Sequence, residues 1–109
     1  MPFDEGVAQR LREVLDVRED IVEKRMFGGI AFMHRGNMCC GIINDVLMAR
    51  VGPDAYEGAL TRPYARKMDF TGKAMKGFVY VDPDGFAEDE ALCEWVSLCE
   101  TFSGALPAK

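Results

Sequence analysis

Two adjacent glycines, Gly28-Gly29, interrupt a strand-like apolar run and restrict the fold more than any other feature of the chain. Val22 to Phe27 precede them, and Ile30 to Met33 follow at once. Paired glycines at such a place indicate a backbone with positive φ or a second chain segment that passes very close. The sequence therefore predicts a tight corner that lets two strands fold against each other.

Short turns divide the region around this corner into four predicted strands. Arg35-Gly36-Asn37 is typical of a hairpin loop, and Asn44-Asp45 of a two-residue turn. Connections this short force neighbouring strands to be antiparallel. The predicted strands are residues 22–27, 30–34, 38–43 and 46–51.

The period of two in a strand assigns side chains to faces. On the second strand Ile30, Phe32 and His34 are expected to share a face, and on the third strand so are Met38, Cys40 and Ile42. Cys39 and Cys40 are then expected to point to opposite faces and to be unable to share one metal ion.

Helical signals lie on either side of these strands. Asp4 is a candidate N-cap for a helix over about 4–16, and Pro53 opens a short helix near 53–60. Two further strands are predicted near 65–70 and 77–81. A last helix near 89–103 carries one apolar stripe and is expected to stop at Gly104; the stripe is Leu92, Trp95, Val96, Cys99 and Phe102. This order predicts an α+β fold, a two-layer antiparallel sheet with helices packed on one face.

Length and charge limit the class of protein. A chain of 109 residues is expected to form a single domain over 1–109, and its acidic start lacks the features of a signal peptide. No run approaches the roughly 20 apolar residues of a membrane helix, so we expect a cytoplasmic protein without membrane contact. The formal net charge of −5 disfavours direct binding to nucleic acid.

Four cysteines and one histidine offer little ligand chemistry. The cysteines are Cys39, Cys40, Cys93 and Cys99, and no C-x-x-C motif occurs. We therefore expect no metal, no cofactor and no disulfide framework. His34 and Cys40 can share a sheet face across the hairpin loop, which leaves a thiol–imidazole pair as a minority hypothesis.

The segment Arg25-Met26-Phe27-Gly28-Gly29, followed by Gly36, resembles the signature of the TfoX (Sxy) N-terminal domain family. The resemblance extends through Gly72-Lys73 to Leu92-x-x-Trp95 in the last helix. It implies a secretion-chaperone-like α+β fold and a regulatory domain associated with activation of competence genes, together with a cyclic-AMP-dependent transcription activator. Full-length members add a C-terminal helical domain, which we expect this chain, ending at Lys109, to lack.

The resemblance favours a small non-enzymatic regulatory or protein-interaction domain with no catalytic residues. Its expected partners are a second copy of the chain and a protein of the transcription machinery. In that role Arg25 can grip a carboxylate of a partner, although pairing within its own chain with Glu23 or Asp20 is the simpler alternative. The alternative function is a small-ligand-binding protein or thiol-dependent enzyme with a pocket near Gly28, Gly29, His34 and Cys40.

Two side-chain groups remain open to both a structural and a functional interpretation. A basic segment is either solvated surface or an interaction patch for an acidic partner; it contains Arg62, Arg66, Lys67, Lys73 and Lys76. The methionines on or beside the predicted strands either fill the core or form an adaptable binding surface.

Overall fold

The computed structural model describes residues 4–15, 20–26, 29–68 and 77–107. Its first element, helix α1 (Glu5–Leu15), begins where the sequence predicts, because the Asp4 carboxylate accepts a hydrogen bond of 3.1 Å from the Val7 amide. Helix α1 buries Ala8, Leu11 and Leu15.

Four antiparallel strands follow as a meander and confirm the predicted order: β1 (Ile21–Met26), β2 (Gly29–His34), β3 (Asn37–Ile43) and β4 (Val46–Arg50). The turn after β2 uses positive φ at Arg35 (52°) and Gly36 (86°), and the turn after β3 uses 55° at Asn44. These left-handed conformations are what tight hairpin connections require.

The second half of the chain completes the sheet. Helix α2 (Tyr56–Leu60) is followed by β5 (Ala65–Lys67) and β6 (Phe78–Val81). The six strands lie in the order β1-β2-β3-β4-β6-β5, all antiparallel, so β6 is inserted between β4 and β5. Strand β5 ends earlier than predicted, and the remainder of its predicted range lies largely outside the described residues.

A short 3-10 turn (Pro83–Phe86) leads into helix α3 (Asp89–Ala105). The predicted stripe of α3 is confirmed, since Leu92, Trp95, Val96 and Cys99 are buried. The helix passes through Gly104 to Ala105, so the predicted stop at Gly104 is one residue early. A glycine within the last turn costs little stability, because the last turn of a helix frays readily.

The two faces of the sheet carry different clusters. The main core joins residues of all three helices to residues of β2, β3, β4 and β6, including Phe32, Leu47 and Val79. The methionine cluster lies on the opposite face and contains Ala31, Met38, Met48 and Met68, all buried. Its methionines therefore fill space in the folded domain, and Met33 is half-buried at its margin. The α+β fold with helices against one face of an antiparallel sheet agrees with the sequence analysis.

Candidate functional site

A β-bulge in β3 brings two cysteines to the same side of the sheet. Phe32 pairs with Cys40 and Met33 pairs with Met38, so Cys39 has no partner on β2. Cys39 and Cys40 both belong to the main core beneath α3 and are fully buried. The expectation that they point to opposite faces is therefore wrong, because the extra residue of a bulge breaks the period of two.

The same bulge moves Met38. It joins the methionine cluster, whereas Cys40 and Ile42 face the helices. The expectation that these three residues share a face is thus wrong for Met38. The face predicted for β2 holds, since Ile30 and Phe32 lie in the main core and His34 contacts α3.

Helix α3 supplies the other half of this site. Cys99 and Ser103 are four residues apart and face the sheet, both fully buried. Cys39 and Cys40 of β3 lie with Cys99 of α3 in the main core, all three fully buried. We call Cys39, Cys40 and Cys99 the thiol cluster; Ser103 connects it to His34, whose Nδ1 lies 2.8 Å from the Ser103 Oγ.

The three thiols differ in acidity. The neighbouring side chains of Cys40 and Cys99, and to a smaller extent that of Ser103, lower the pKa of Cys39, whereas burial acts to raise it. Contact with Cys39 and burial raise the pKa of Cys40 and of Cys99. The proximity of the three thiols therefore separates their pKa values, with that of Cys39 the lowest.

The proposed thiol–imidazole pair has a different geometry from the one expected. The hydrogen bond of His34 goes to Ser103 rather than to Cys40. The raised pKa of Cys40 also keeps its thiol protonated at neutral pH, which is the unreactive form. Gly28, the other end of the hypothetical pocket, lies outside the described residues.

The residues of the family motif lie at the corner between β1 and β2. Arg25 is exposed near the end of β1, Met26 is its last residue, and Phe27 lies outside the described residues, as Gly28 does. At Gly29 a Cβ atom would overlap the backbone carbonyl oxygen of Ile42 on β3. A close approach of two strands thus explains this glycine, while Gly36 serves the β2–β3 turn through its positive φ.

The basic segment is divided by the fold. Arg62 stacks over Trp95 with 5.3 Å to the ring centroid and lies 4.0 Å from a Glu94 oxygen. Arg66 on β5 lies over Tyr80 and donates hydrogen bonds of 3.1–3.3 Å to the carboxylate of Asp82.

Lys67 is exposed on β5, and Lys73 and Lys76 lie outside the described residues. Two of the three described members therefore already face a carboxylate of this chain.

Sequence reasoning missed Ser103 and the convergence of Cys39 with Cys99. The spacing of Cys99 and Ser103 on a predicted helix was the available signal, but the bulge that turns Cys39 toward them has no local signature. In the described part of the chain no group of three His, Cys, Asp or Glu side chains is arranged to hold a metal ion. None of the helices there has the length and apolarity to cross a membrane.

Comparison with known proteins gives one match. The TfoX N-terminal domain family model matches residues 13–103, which is most of the chain and includes the corner motif, the thiol cluster and nearly all of α3. No curated protein and no solved structure matches. The chain belongs to the TfoX N-terminal domain family.

Proposed function

We propose that this domain is a non-enzymatic regulatory module that binds other protein chains, that its first partner is a second copy of itself, and that its role is transcription-related. The family match supports a regulatory role, because TfoX proteins are associated with the activation of competence genes. The single structural observation that supports self-association is the exposed outer edge of β1.

Strand β1 is an end strand of the sheet and carries four consecutive exposed side chains. Val22, Glu23, Lys24 and Arg25 are all exposed, and Val22 is 64% accessible. An exposed edge strand presents backbone N–H and C=O groups that can continue the ladder into another chain. A second copy is the simplest chain that can complete it.

The charges on β1 suit pairing with an identical strand. The Glu23 carboxylate already accepts hydrogen bonds from the guanidinium of Arg12 on α1. In a two-fold antiparallel pair centred on Lys24 it would also lie opposite Arg25 of the partner subunit, and the same contact repeats by symmetry. Opposite charges directly across a strand pair are favourable, and the planar guanidinium suits a carboxylate. Lys24 faces its own copy on the other side of the sheet, where its long flexible side chain can turn away into solvent.

The test is sedimentation equilibrium of the full chain from low to high micromolar concentration. We expect a concentration-dependent dimer, and we expect Arg25→Glu to weaken it by about tenfold or more, because Glu23 would then face a like charge. Lys67→Glu is the matched control, since it makes the same charge change on an exposed residue of the opposite edge strand. A wild-type monomer at high micromolar concentration, or equal effects of the two variants, would refute self-association through β1.

The non-enzymatic assignment has its own test. A neutral, fully buried Cys40 should react with iodoacetamide no faster than a free cysteine does. The exposed Cys93 provides the internal reference for an accessible thiol. Faster alkylation of Cys40 than of Cys93 would restore the thiol-dependent enzyme as the better hypothesis.

A further inference from the structure

Three arginines of this chain are held in the same way, each against an aromatic ring and beside a carboxylate. Their guanidinium carbons lie 4.8–5.9 Å from the ring centroids, and the nitrogen–oxygen distances to the carboxylates are 3.1–4.0 Å. The sets are Arg10 with Phe86 and Asp89, Arg62 with Trp95 and Glu94, and Arg66 with Tyr80 and Asp82. A planar guanidinium suits both partners at once, because its face stacks on the ring while its edge donates to the carboxylate.

A fourth ring and a fourth carboxylate lie in one cleft without such an arginine. The cleft, which we call the Tyr64 cleft, has a volume of about 330 Å³ and is formed by the segment before β5, the 3-10 turn and α3. Tyr64 and Asp84 line it, and both are exposed. Tyr64 packs against the residue that follows Asp84, because its Cβ lies 3.0 Å from where a Cβ on Gly85 would be. Within the described ranges no cationic side chain lies over the Tyr64 ring or pairs with Asp84.

The backbone holds the Tyr64 ring in solvent against its own preference. Tyr64 has a φ of 66°, a left-handed conformation that is unusual for a bulky side chain. Its carbonyl accepts a hydrogen bond of 3.0 Å from the Asp82 amide, which fixes the segment to the start of the 3-10 turn. The ring is nevertheless 54% accessible. A strained residue that presents an aromatic surface to solvent is typical of a binding site.

The charges of the Tyr64 cleft favour a cation. Two carboxylates, Asp84 and Glu94, line it together with one guanidinium, that of Arg62. Arg62 is already placed over Trp95 and beside Glu94, so Asp84 is the carboxylate left for an incoming group. A neighbouring groove along α3 shares Arg62 and Glu94 with the cleft and adds the carboxylate of Glu90. An approaching cation therefore meets a negative surface.

We propose that the Tyr64 cleft binds an arginine side chain of a partner protein, whose guanidinium stacks on Tyr64 and donates to Asp84. Arginine fits better than lysine, because an ammonium is a compact point charge without a planar face. A different protein supplies it, because every arginine in the described part of this chain already contacts a group of its own chain. The proposal extends the proposed binding of other proteins to a surface beside β5, the end strand opposite β1.

The test uses a pentapeptide with blocked ends, Gly-Gly-Arg-Gly-Gly, whose only charge is the guanidinium. It is titrated into the isotope-labelled full chain at constant ionic strength, and the backbone amide signals in NMR spectra report where and how tightly it binds. We expect saturable shifts around Tyr64, Asp84 and Ala91 with a dissociation constant of about 1 mM, because one exposed side chain makes only two weak contacts. The same peptide with citrulline, which has the shape of arginine without its charge, should bind at least about fivefold more weakly.

Substitutions in the cleft test each contact separately. Tyr64→Asn removes the ring with a residue that tolerates positive φ, and it should weaken binding about two- to fivefold. Tyr64→Phe keeps the ring and should bind within about twofold of wild type. Asp84→Asn should weaken binding by a factor similar to that of Tyr64→Asn. Asp45→Asn makes the same charge change at an exposed turn outside the cleft and should leave binding unchanged.

Four results would overturn the proposal. They are a lack of saturable shifts at about tenfold the expected dissociation constant, shifts confined to another surface, equal binding of the citrulline peptide, and equal losses in Asp84→Asn and Asp45→Asn. Tighter binding of free arginine than of the peptide would overturn the assignment to a partner protein. Failure here is distinct from failure of the dimer test, because sedimentation through β1 involves neither Tyr64 nor Asp84.

Discussion

The two faces of the central sheet are filled in different ways, and neighbouring residues on β4 show the contrast. Leu47 and Met48 are both fully buried, but Leu47 belongs to the main core under the helices and Met48 to the methionine cluster. The helices supply many facing side chains to the main core. On the opposite face small residues line the strands, and the Met48 Cε lies 2.9 Å from where a Cβ on Gly41 would be.

The difference teaches how a sheet face is buried where no helix among the described residues covers it. Branched and aromatic side chains suit the helix-covered face because they have well-defined shapes to match. Flexible methionines suit the other face because they can lie across glycine and alanine and fill irregular gaps. The stability of that face therefore depends on how closely its neighbouring strands approach each other.

The largest expected effect concerns this close approach. Gly29 shares its side of β2 with Ala31, and Gly29→Ala would place a Cβ on the Ile42 carbonyl oxygen. We expect a loss of about 3 kcal/mol or more in the free energy of unfolding, because backbone atoms of two strands must separate.

Chemical denaturation of Gly29→Ala and Gly58→Ala measures the difference. Around Gly58 a Cβ would meet nothing within 4 Å, and alanine there should raise stability by roughly 0.5–1 kcal/mol through its higher helix propensity. Similar denaturation midpoints for the two variants would show that β2 and β3 do not approach as closely as described.

The next effect compares the two faces directly. Leu47→Ala should cost roughly 3–4 kcal/mol, because its neighbours in the main core are held by both sheet and helices and cannot collapse into the cavity. Met48→Ala should cost nearer 2 kcal/mol, because the surrounding flexible methionines can move into the space. Urea unfolding of both variants tests this, and a larger loss for Met48→Ala would reverse the proposed ranking of the faces.

The helix-covered face should also respond to alkaline pH. The folded-state pKa values of Cys40 and Cys99 are raised, so their contribution to stability is complete below the ordinary thiol pKa of 9.0 and is lost as pH rises above it. Each thiol should add about 1.4 kcal/mol per pH unit to the fall in unfolding free energy. The lowered pKa of Cys39 acts with the opposite sign, because its contribution still grows as pH rises towards 9.0; well above pH 9.0 it adds no slope.

Denaturation series from pH 8 to pH 10.5 can isolate this response. The unfolding free energy of Cys99→Ala should fall less steeply with rising pH than that of wild type, whatever the stability of the variant at pH 8. The variant Met48→Ala serves as the control, because a methionine does not titrate and its slope should equal that of wild type. Parallel curves for Cys99→Ala and wild type would contradict the assignment of a neutral buried thiol.

The smallest effect is expected at the rim of the methionine face. Arg66 bonds to Asp82 and covers Tyr80, but its side chain is 50% exposed. Arg66→Ala should cost no more than about 1 kcal/mol, because water and salt screen such a pair. A double-mutant cycle with Asp82→Ala in low and high salt measures the coupling, and Lys67→Ala is the neighbouring control. A loss well above that limit would mean that this rim helps to hold the face together.

Much of the fold could be predicted from local sequence signals. Asp4 marked the start of α1, Gly36 and Asn44 marked the turns of the meander, and the stripe from Leu92 to Cys99 marked the buried side of α3. The errors are equally local in origin. Strict alternation along β3 assigned Met38 and Cys39 to the wrong faces, because a bulge adds one residue that no residue type announces.

By itself, the sequence determined which segments are helices and strands, and where the chain must turn, since those choices depend on neighbouring residues and their backbone preferences. Only the tertiary structure decided that β6 lies between β4 and β5, that Met38 faces away from the helices, and that Cys39 and Cys99 share the main core. Each of these arrangements involves residues far apart along the chain, and all of them form together when the sheet as a whole is buried. The candidate chemistry of this protein thus arises from packing between β3 and α3, not from a motif in either.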